Sequence, residues 1–219
     1  MELFQDIVTR ASQAAHISLG KNELEQFAVF RRELLLWNKT MSLVSLKDPS
    51  DLPIKHIIDS LTILPYLSRR HASILDLGSG GGFPGIPVKI MRNDLKITFV
   101  DGSRKKGSFL KHALRTLDMT DVTVVVQRIE NLMKEGRLYG VFDYVITRAT
   151  FKVSQLLPMA DYFLSRNGVM ISMKGNTWKQ ELYDADDVIK SFNFRLVDAH
   201  ELALPIIGNR RSILLLGRT

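Results

Sequence analysis

The sequence predicts an α/β fold: a mostly parallel, seven-stranded sheet with helices on both faces, an antiparallel hairpin at one edge and a small helical cap at the N-terminus. Three observations predict it. Residues 1–70 show apolar spacing of helical period, and from Ser73 onward short β-rich runs alternate with helix-like stretches, the pattern that builds parallel sheets. The last two runs are joined by a turn too short to hold a helix, which makes them antiparallel.

In the cap, Leu3, Ile7, Val8 and Ala11 share one helical face. Asn22 with Glu25 has the spacing of a capping box, ahead of Leu24, Phe27, Phe30, Leu34 and Leu35. A third helix is expected over Leu52 to Leu67, with Pro65 breaking it near its end. The β-rich runs are SILDLG, KITFVDG, VTVVVQR, FDYVITR, GVMISMKG, FRLVDAHEL and RSILLLG. Stretches such as RKKGSFLKHALRTL and KVSQLLPMADYFL supply helices among the first five runs, and PIIGN supplies the final turn. Residues 1–70 therefore read as the cap and 71–219 as the sheet domain, in one unit without a separating linker.

With 219 residues, 45% of them apolar, the chain suits one α/β domain and a small extension. The absence of cysteine excludes disulfides, Cys-based zinc sites and a thiol nucleophile, and is compatible with a reducing cytoplasm. The stretch MELFQDIVTRASQAAH lacks a continuous apolar run, so neither a signal peptide nor a membrane anchor is expected, and a soluble, cytoplasmic monomer is. A net charge of +7 suits a polyanionic partner. The five histidines, at 16, 56, 71, 112 and 200, are scattered, and no metal site is expected.

ILDLGSGGGFPGIP, residues 74–87, runs from a buried-type strand into a glycine turn and towards a helix, the arrangement that holds a small charged cofactor. Gly80, Gly82 and Gly85 satisfy the dinucleotide pattern G-x-G-x-x-G. Asp76 precedes them at the strand end, where a carboxylate repels a pyrophosphate and attracts the ammonium and sulfonium of S-adenosylmethionine. It is equally suited to capping the turn through loop N–H groups, and the two roles are compatible. Asp101, about 20 residues beyond the glycines, stands where a carboxylate accepts from ribose hydroxyls, a feature of either cofactor. Ligands bind beyond the carboxyl ends of such strands, which directs attention to Arg128 with Glu130, to Arg148 and to Lys174.

His56 and Asp59 are spaced i, i+3 and share a helix face, either as a structural pair or as contacts to a target nucleotide. The run Arg104, Lys105, Lys106 with Lys111 and Arg115 is either a phosphate-binding surface, which Arg210 and Arg211 on the terminal hairpin would extend, or a solvated helix face. Phe83 packs under a cofactor or into the core. Trp37 and Trp178 are not interleaved with basic residues as a stacking platform requires, and both read as packing or rim residues.

Together, the glycine loop, the preceding HIIDS and WNK, the DGSRKKGSFL after the second run, and the later RIE, ITRA and MKG resemble the bacterial small-subunit ribosomal RNA methyltransferase G family, also called glucose-inhibited division protein B. The resemblance covers roughly residues 24 to 217 in the same order. It implies a class I S-adenosylmethionine-dependent, Rossmann-like methyltransferase that modifies N7 of one guanine in 16S ribosomal RNA of the small subunit. By the same resemblance Gly78 and Phe83 line the methionine and adenosine site, Ile129 and Glu130 contact the adenine end, and Arg148 stands at the junction of cofactor and target base. His56, Asp59, Lys105 and Lys174 match rim or RNA-side positions. Three positions depart from the family pattern: Ser42 for Asn, Gly102 for Ser, and Thr150 for an apolar residue. Two other readings stay open. An NAD(P)-dependent oxidoreductase accounts for the glycines and Asp101 but offers no hydride-site acid, and a non-catalytic RNA-binding or assembly factor would keep the sheet as a scaffold.

Overall fold

In the computed structural model, which describes residues 2–45, 51–148 and 151–219, the cap begins with helices α1 (Glu2–Ala14) and α2 (Lys21–Asn38). The capping pattern falls two residues earlier than the sequence suggests. The Gly20 N–H donates to Glu23 Oε2 at 2.9 Å, while Asn22 is already inside the helix. The expected third helix is shorter and irregular: a π-helical turn over Leu52–Ile58, the short helix α3 (Asp59–Leu61), then a 3₁₀ turn over Leu64–Tyr66. Pro65 sits in that last turn, where its missing N–H cannot continue an α-helical ladder.

All seven β-rich runs become strands: β1 (Ser73–Leu77), β2 (Lys96–Asp101), β3 (Val122–Val126), β4 (Phe142–Arg148), β5 (Leu164–Lys174), β6 (Phe194–Ala203) and β7 (Arg210–Arg218). Helices α4 (Gly85–Met91), α5 (Arg104–Thr116), α6 (Ile129–Lys134) and α7 (Val153–Phe163) fill the crossovers. Two more, α8 (Trp178–Asp184) and α9 (Asp186–Ser191), lie between β5 and β6, where the sequence reading assigns none. The strand order is β3-β2-β1-β4-β5-β7-β6. Strands β1 to β5 are parallel, and β7 runs antiparallel between β5 and β6. The hairpin therefore forms, but of its two strands only β6 lies at the edge. Ile213, Leu214 and Leu216 of β7 are fully buried, whereas much of β6 is exposed, so the more apolar run takes the inner place.

Alternation along the strands sorts the core onto two faces. Ile74, Phe99, Tyr144 and Ile146 face one side with α4, α5 and the cap, while Leu75, Val100, Val145 and Met170 face the other with α6 and α7. Phe27, Phe30, Leu34 and Ile57 belong to the first cluster, so cap and sheet share one continuous core. Trp37 packs 5.8 Å from the Phe109 ring, and Glu33 meets His112 Nε2 at 2.8 Å, fastening α2 to α5. Asn38 closes the loop after α2 by accepting the Leu43 and Val44 N–H groups and donating to the Val44 carbonyl. Among the described residues no helix is long and apolar enough to cross a membrane.

Phe30 has no exposed surface and its ring lies 5.3 Å from that of Phe83. Phe30→Ala is expected to lower stability by about 3–5 kcal/mol, the usual cost of emptying a packed aromatic site. Because the core is shared, the loss should appear in a denaturant titration as one cooperative transition shifted to lower midpoint.

Candidate active site

Strands β1 and β4 are neighbours, yet the helix after β1 packs on one face of the sheet and the helix after β4 on the other. Their carboxyl ends thus part around a crevice, the place where ligands bind in open α/β sheets. The glycine loop forms its floor. Gly78 and Ser79 send their N–H groups to the Val100 carbonyl at 2.9 and 3.1 Å, and Ser79 Oγ donates to the Asp76 carbonyl at 2.8 Å. Gly80, at φ 55°, directs its N–H to Asp101 Oδ2 at 3.0 Å, and the Ser103 N–H donates to Oδ1 at 2.8 Å. Asp101 therefore ties the loop to the start of α5.

Asp76 is fully buried, and its Oδ2 accepts the Gly85 N–H at 3.0 Å. A Cβ at position 85 would stand 2.5 Å from that oxygen and 2.4 Å from the Phe99 ring, so only glycine fits. Of the two compatible roles open to Asp76, the structure displays the turn-capping one. Its Oδ1 has no hydrogen-bond partner among the described residues, a buried acceptor suited to a donor-bearing or cationic ligand. Burial pushes the Asp76 carboxyl up to about 7, against the Gly85 hydrogen bond and the charge of Arg148, with Asp101 adding to the rise.

Above the loop, Arg148 ends β4 and holds the cap. It donates to the Lys55 carbonyl at 3.1 Å and to His56 Nδ1 at 2.9 Å, and its guanidinium lies 4.8 Å over the Phe83 ring. A nitrogen that accepts from a guanidinium must be unprotonated, which keeps His56 neutral. Burial, reinforced by the charge of Arg148, lowers the His56 pKa to about 4. Asp59, only 2% exposed, receives Arg211 Nε on both carboxylate oxygens at 3.1 Å and lies 3.5 Å from Arg148. Burial raises the Asp59 pKa, with both guanidiniums pulling against it. Lys174 donates to Glu181 at 2.7 Å and to the Phe151 carbonyl.

His56, Asp59, Arg148 and Lys174, with Lys152 and Arg211, line one cavity of about 690 Å³, within the range that holds small molecules. One carboxylate between two guanidiniums, beside a lysine already paired with Glu181, leaves that wall positive. Asp76, Gly78, Gly80 and Asp101 form a separate hydrogen-bonded group in the loop below. Phe83 packs in the core against Phe30 and 5.2 Å from the His56 ring, where it supports Arg148. Ile129 is buried at the start of α6, while Glu130 beside it and Lys105 at the start of α5 are exposed and do not line the cavity. Gly102 has room for the serine usual in the family, since a Cβ there meets nothing nearer than 3.5 Å. Thr150 lies outside the described residues.

Glu181 escapes the sequence reading altogether, and Arg211 enters it only as an extension of the basic patch, not as a residue of this cavity. The available signal was topological: β7 runs antiparallel to β5, with Lys174 opposite Ser212, so the start of β7 lies at the carboxyl end of β5.

The strand order, the glycine loop after β1 and the acid ending β2 define a Rossmann-like, nucleotide-cofactor fold. Solved structures of similar fold include M. jannaschii TYW2 in complex with AdoMet, with TM-score 0.57 and 14% identity over 74% of this chain and 76% of that one. The ribosomal protein L11 methylase from Lactobacillus delbrueckii subsp. bulgaricus aligns with TM-score 0.58 and 14% identity over 80% and 82%. The fold is that of class I S-adenosylmethionine-dependent methyltransferases. The family model for rRNA small subunit methyltransferase G (GidB) matches residues 23–210. The Ribosomal RNA small subunit methyltransferase G of Syntrophus aciditrophicus (strain SB) is 37% identical over 214 residues, spanning 97% of this chain and 87% of its own. The chain belongs to this family.

Two of the shifted groups, His56 and Asp76, give opposite pH dependence. Between the ordinary His56 value of 6.5 and about 4, the unfolded chain takes up a proton that the folded chain refuses, so stability is lost as pH falls through that window. Asp76 is the reverse: its proton, held up to about 7 in the fold but released near 3.8 when unfolded, stabilises at low pH and ceases to do so as pH rises through that range. Denaturant midpoints should therefore show His56→Gln gaining on the parent protein as pH falls from 7 to 4, and Asp76→Asn gaining as pH rises from 4 to 8.

Proposed function

We propose that this protein transfers the methyl group of S-adenosylmethionine to N7 of a guanine in 16S ribosomal RNA of the small subunit. The observation that carries the reading is the family match over residues 23–210, which takes in the cap from residue 23 onward, the glycine loop and the strand ends around Arg148. The positive cavity and the net charge of +7 support a polyanionic substrate. In this reading residues 1–70 are a substrate-side cap on a catalytic domain of 71–219, and the enzyme works as a monomer in the cytoplasm, where its substrate is.

S-adenosylmethionine, when bound, supplies an electrophilic methyl on a sulfonium centre. Guanine N7 has an exposed lone pair and no proton at neutral pH, so no general base is needed and the protein's task is alignment. Asp76, Gly78, Gly80 and Phe83 hold the methionine side, Asp101 the ribose, and Ile129 and Glu130 the adenine. His56 and Asp59 keep Arg148 in place, while Lys105 and Lys174 belong to the RNA side. Arg148 presents its planar fork to guanine O6 or to the cofactor carboxylate, a geometry a lysine cannot copy.

Arg148→Lys, which keeps the charge and loses the fork, is expected to reduce labelled-methyl transfer to small ribosomal subunits by about 100-fold, the cost of misplacing reactants by about 1 Å. Near-normal transfer would remove Arg148 from the role of principal positioning residue. In thermal unfolding, S-adenosylhomocysteine at about 100 times its dissociation constant should stabilise the protein by about 2.7 kcal/mol. Stabilisation by NAD with indifference to S-adenosylhomocysteine would return the reading to an oxidoreductase.

A further inference from the structure

A second cavity, of about 340 Å³, adjoins the first and shares Arg211 with it as a wall. Its other lining residues include Asn176, Trp178, Lys179, Glu201 and Arg210. Helix α8 links the two cavities, because Trp178 faces the second while Glu181, one turn on, holds Lys174 in the first. The Trp178 ring is half-buried and packed on the core beneath, and its Nε1 donates to Glu201 at 3.1 Å. Lys179 Nζ lies over the ring face, 5.3 Å from its centroid, and 3.2 Å from Glu201, so the indole is held by its Nε1 and an exposed, solvated cation rests on its outer face. Glu201 is the one acid of this lining, and Lys179, Arg210 and Arg211 outnumber it. Arg210 is exposed, with no side-chain ion pair among the described residues.

An anchored indole with unspent positive charge at its rim is the chemistry of single-stranded nucleic-acid recognition, in which bases stack on aromatic rings and cations take the phosphates. We propose that this cavity binds the nucleotide next to the target guanine in the RNA strand, with its base stacked on Trp178 in place of the exposed Lys179 side chain and its phosphate at Arg210. The inference rests on the RNA substrate of the preceding section and adds to it a second, base-stacking subsite. The sequence alone does not show it, because the aromatic and basic residues are brought together from α8 and β7 and are interleaved only in space.

With Trp37→Phe as background, Trp178 is the sole fluorophore of its kind, and a single-stranded RNA oligonucleotide spanning the methylated guanine should quench it on binding. Binding seen by anisotropy of a labelled RNA without that quench would overturn the subsite, as would absence of RNA binding altogether. Trp178→Ala should raise KM for naked small-subunit ribosomal RNA about 5- to 150-fold, the loss of one stacked base at tenfold per 1.4 kcal/mol, with kcat changed far less. Trp178→Phe should recover most of that loss, and a wild-type KM for Trp178→Ala would count against stacking. Arg210→Ala should lower the slope of log affinity against log salt by about 0.7, one phosphate contact on a single strand. Quenching without methyl transfer by the parent protein would leave the subsite standing and overturn the methylation reading alone.

Discussion

The carboxylate of Asp59 is the constraint on which the site depends. It is almost wholly removed from water, and a carboxylate so placed costs several kcal/mol of desolvation unless partners surround it. Here the partners arrive from two separate strands: Arg148 from the end of β4 and Arg211 from the start of β7. Neither guanidinium would be cheaply buried alone. The cap, the parallel half of the sheet and the antiparallel hairpin are thus joined by one charged junction, made from the protein's own groups. His56 completes it by accepting from Arg148, which a protonated imidazole cannot do.

The glycine loop below is built on the same economy. Two carboxylates, Asp76 and Asp101, take loop N–H groups that would otherwise have to find water or ligand. Its backbone shape is therefore set by the protein. Charge that a sequence reader assigns to a ligand serves the fold as well, and in Asp76 one oxygen is spent on Gly85 while the other is left over.

Much of this was legible in the sequence, for physical reasons. The strands announce themselves because each alternates or is apolar throughout, and the site residues at strand ends follow from the topology of parallel sheets. Relative order within the hairpin did not, since periodicity reports burial and not neighbours. Helices α8 and α9 were missed because they are short, and neither buries a residue whose spacing would betray it. The start of α2 was misjudged because Glu23 caps a glycine backbone, leaving no cap side chain to recognise. Arg211 reads from the sequence as part of a basic patch and not as a cavity residue, for only the pairing of β7 with β5 brings it to Asp59. Lys105 stands out in the basic run and Glu130 at a strand end, the resemblance adds to both, and geometry leaves them exposed at helix starts beside the crevice.

The position of β7 has a consequence for how the molecule comes into being. The strand is made after β6 yet lies between β6 and β5, so β6 has no place in the sheet until its successor has been synthesised. In the interval β5 is an open edge of a parallel sheet, and the segment from α8 to β6 waits without a strand partner, the situation that favours chaperone capture or misassociation. Arg211 arrives with β7, so the junction at Asp59 closes in the same event that completes the sheet. An assembly error in the hairpin is therefore also an error in the site, and a chain with an incomplete sheet has no finished cavity with which to bind its substrate.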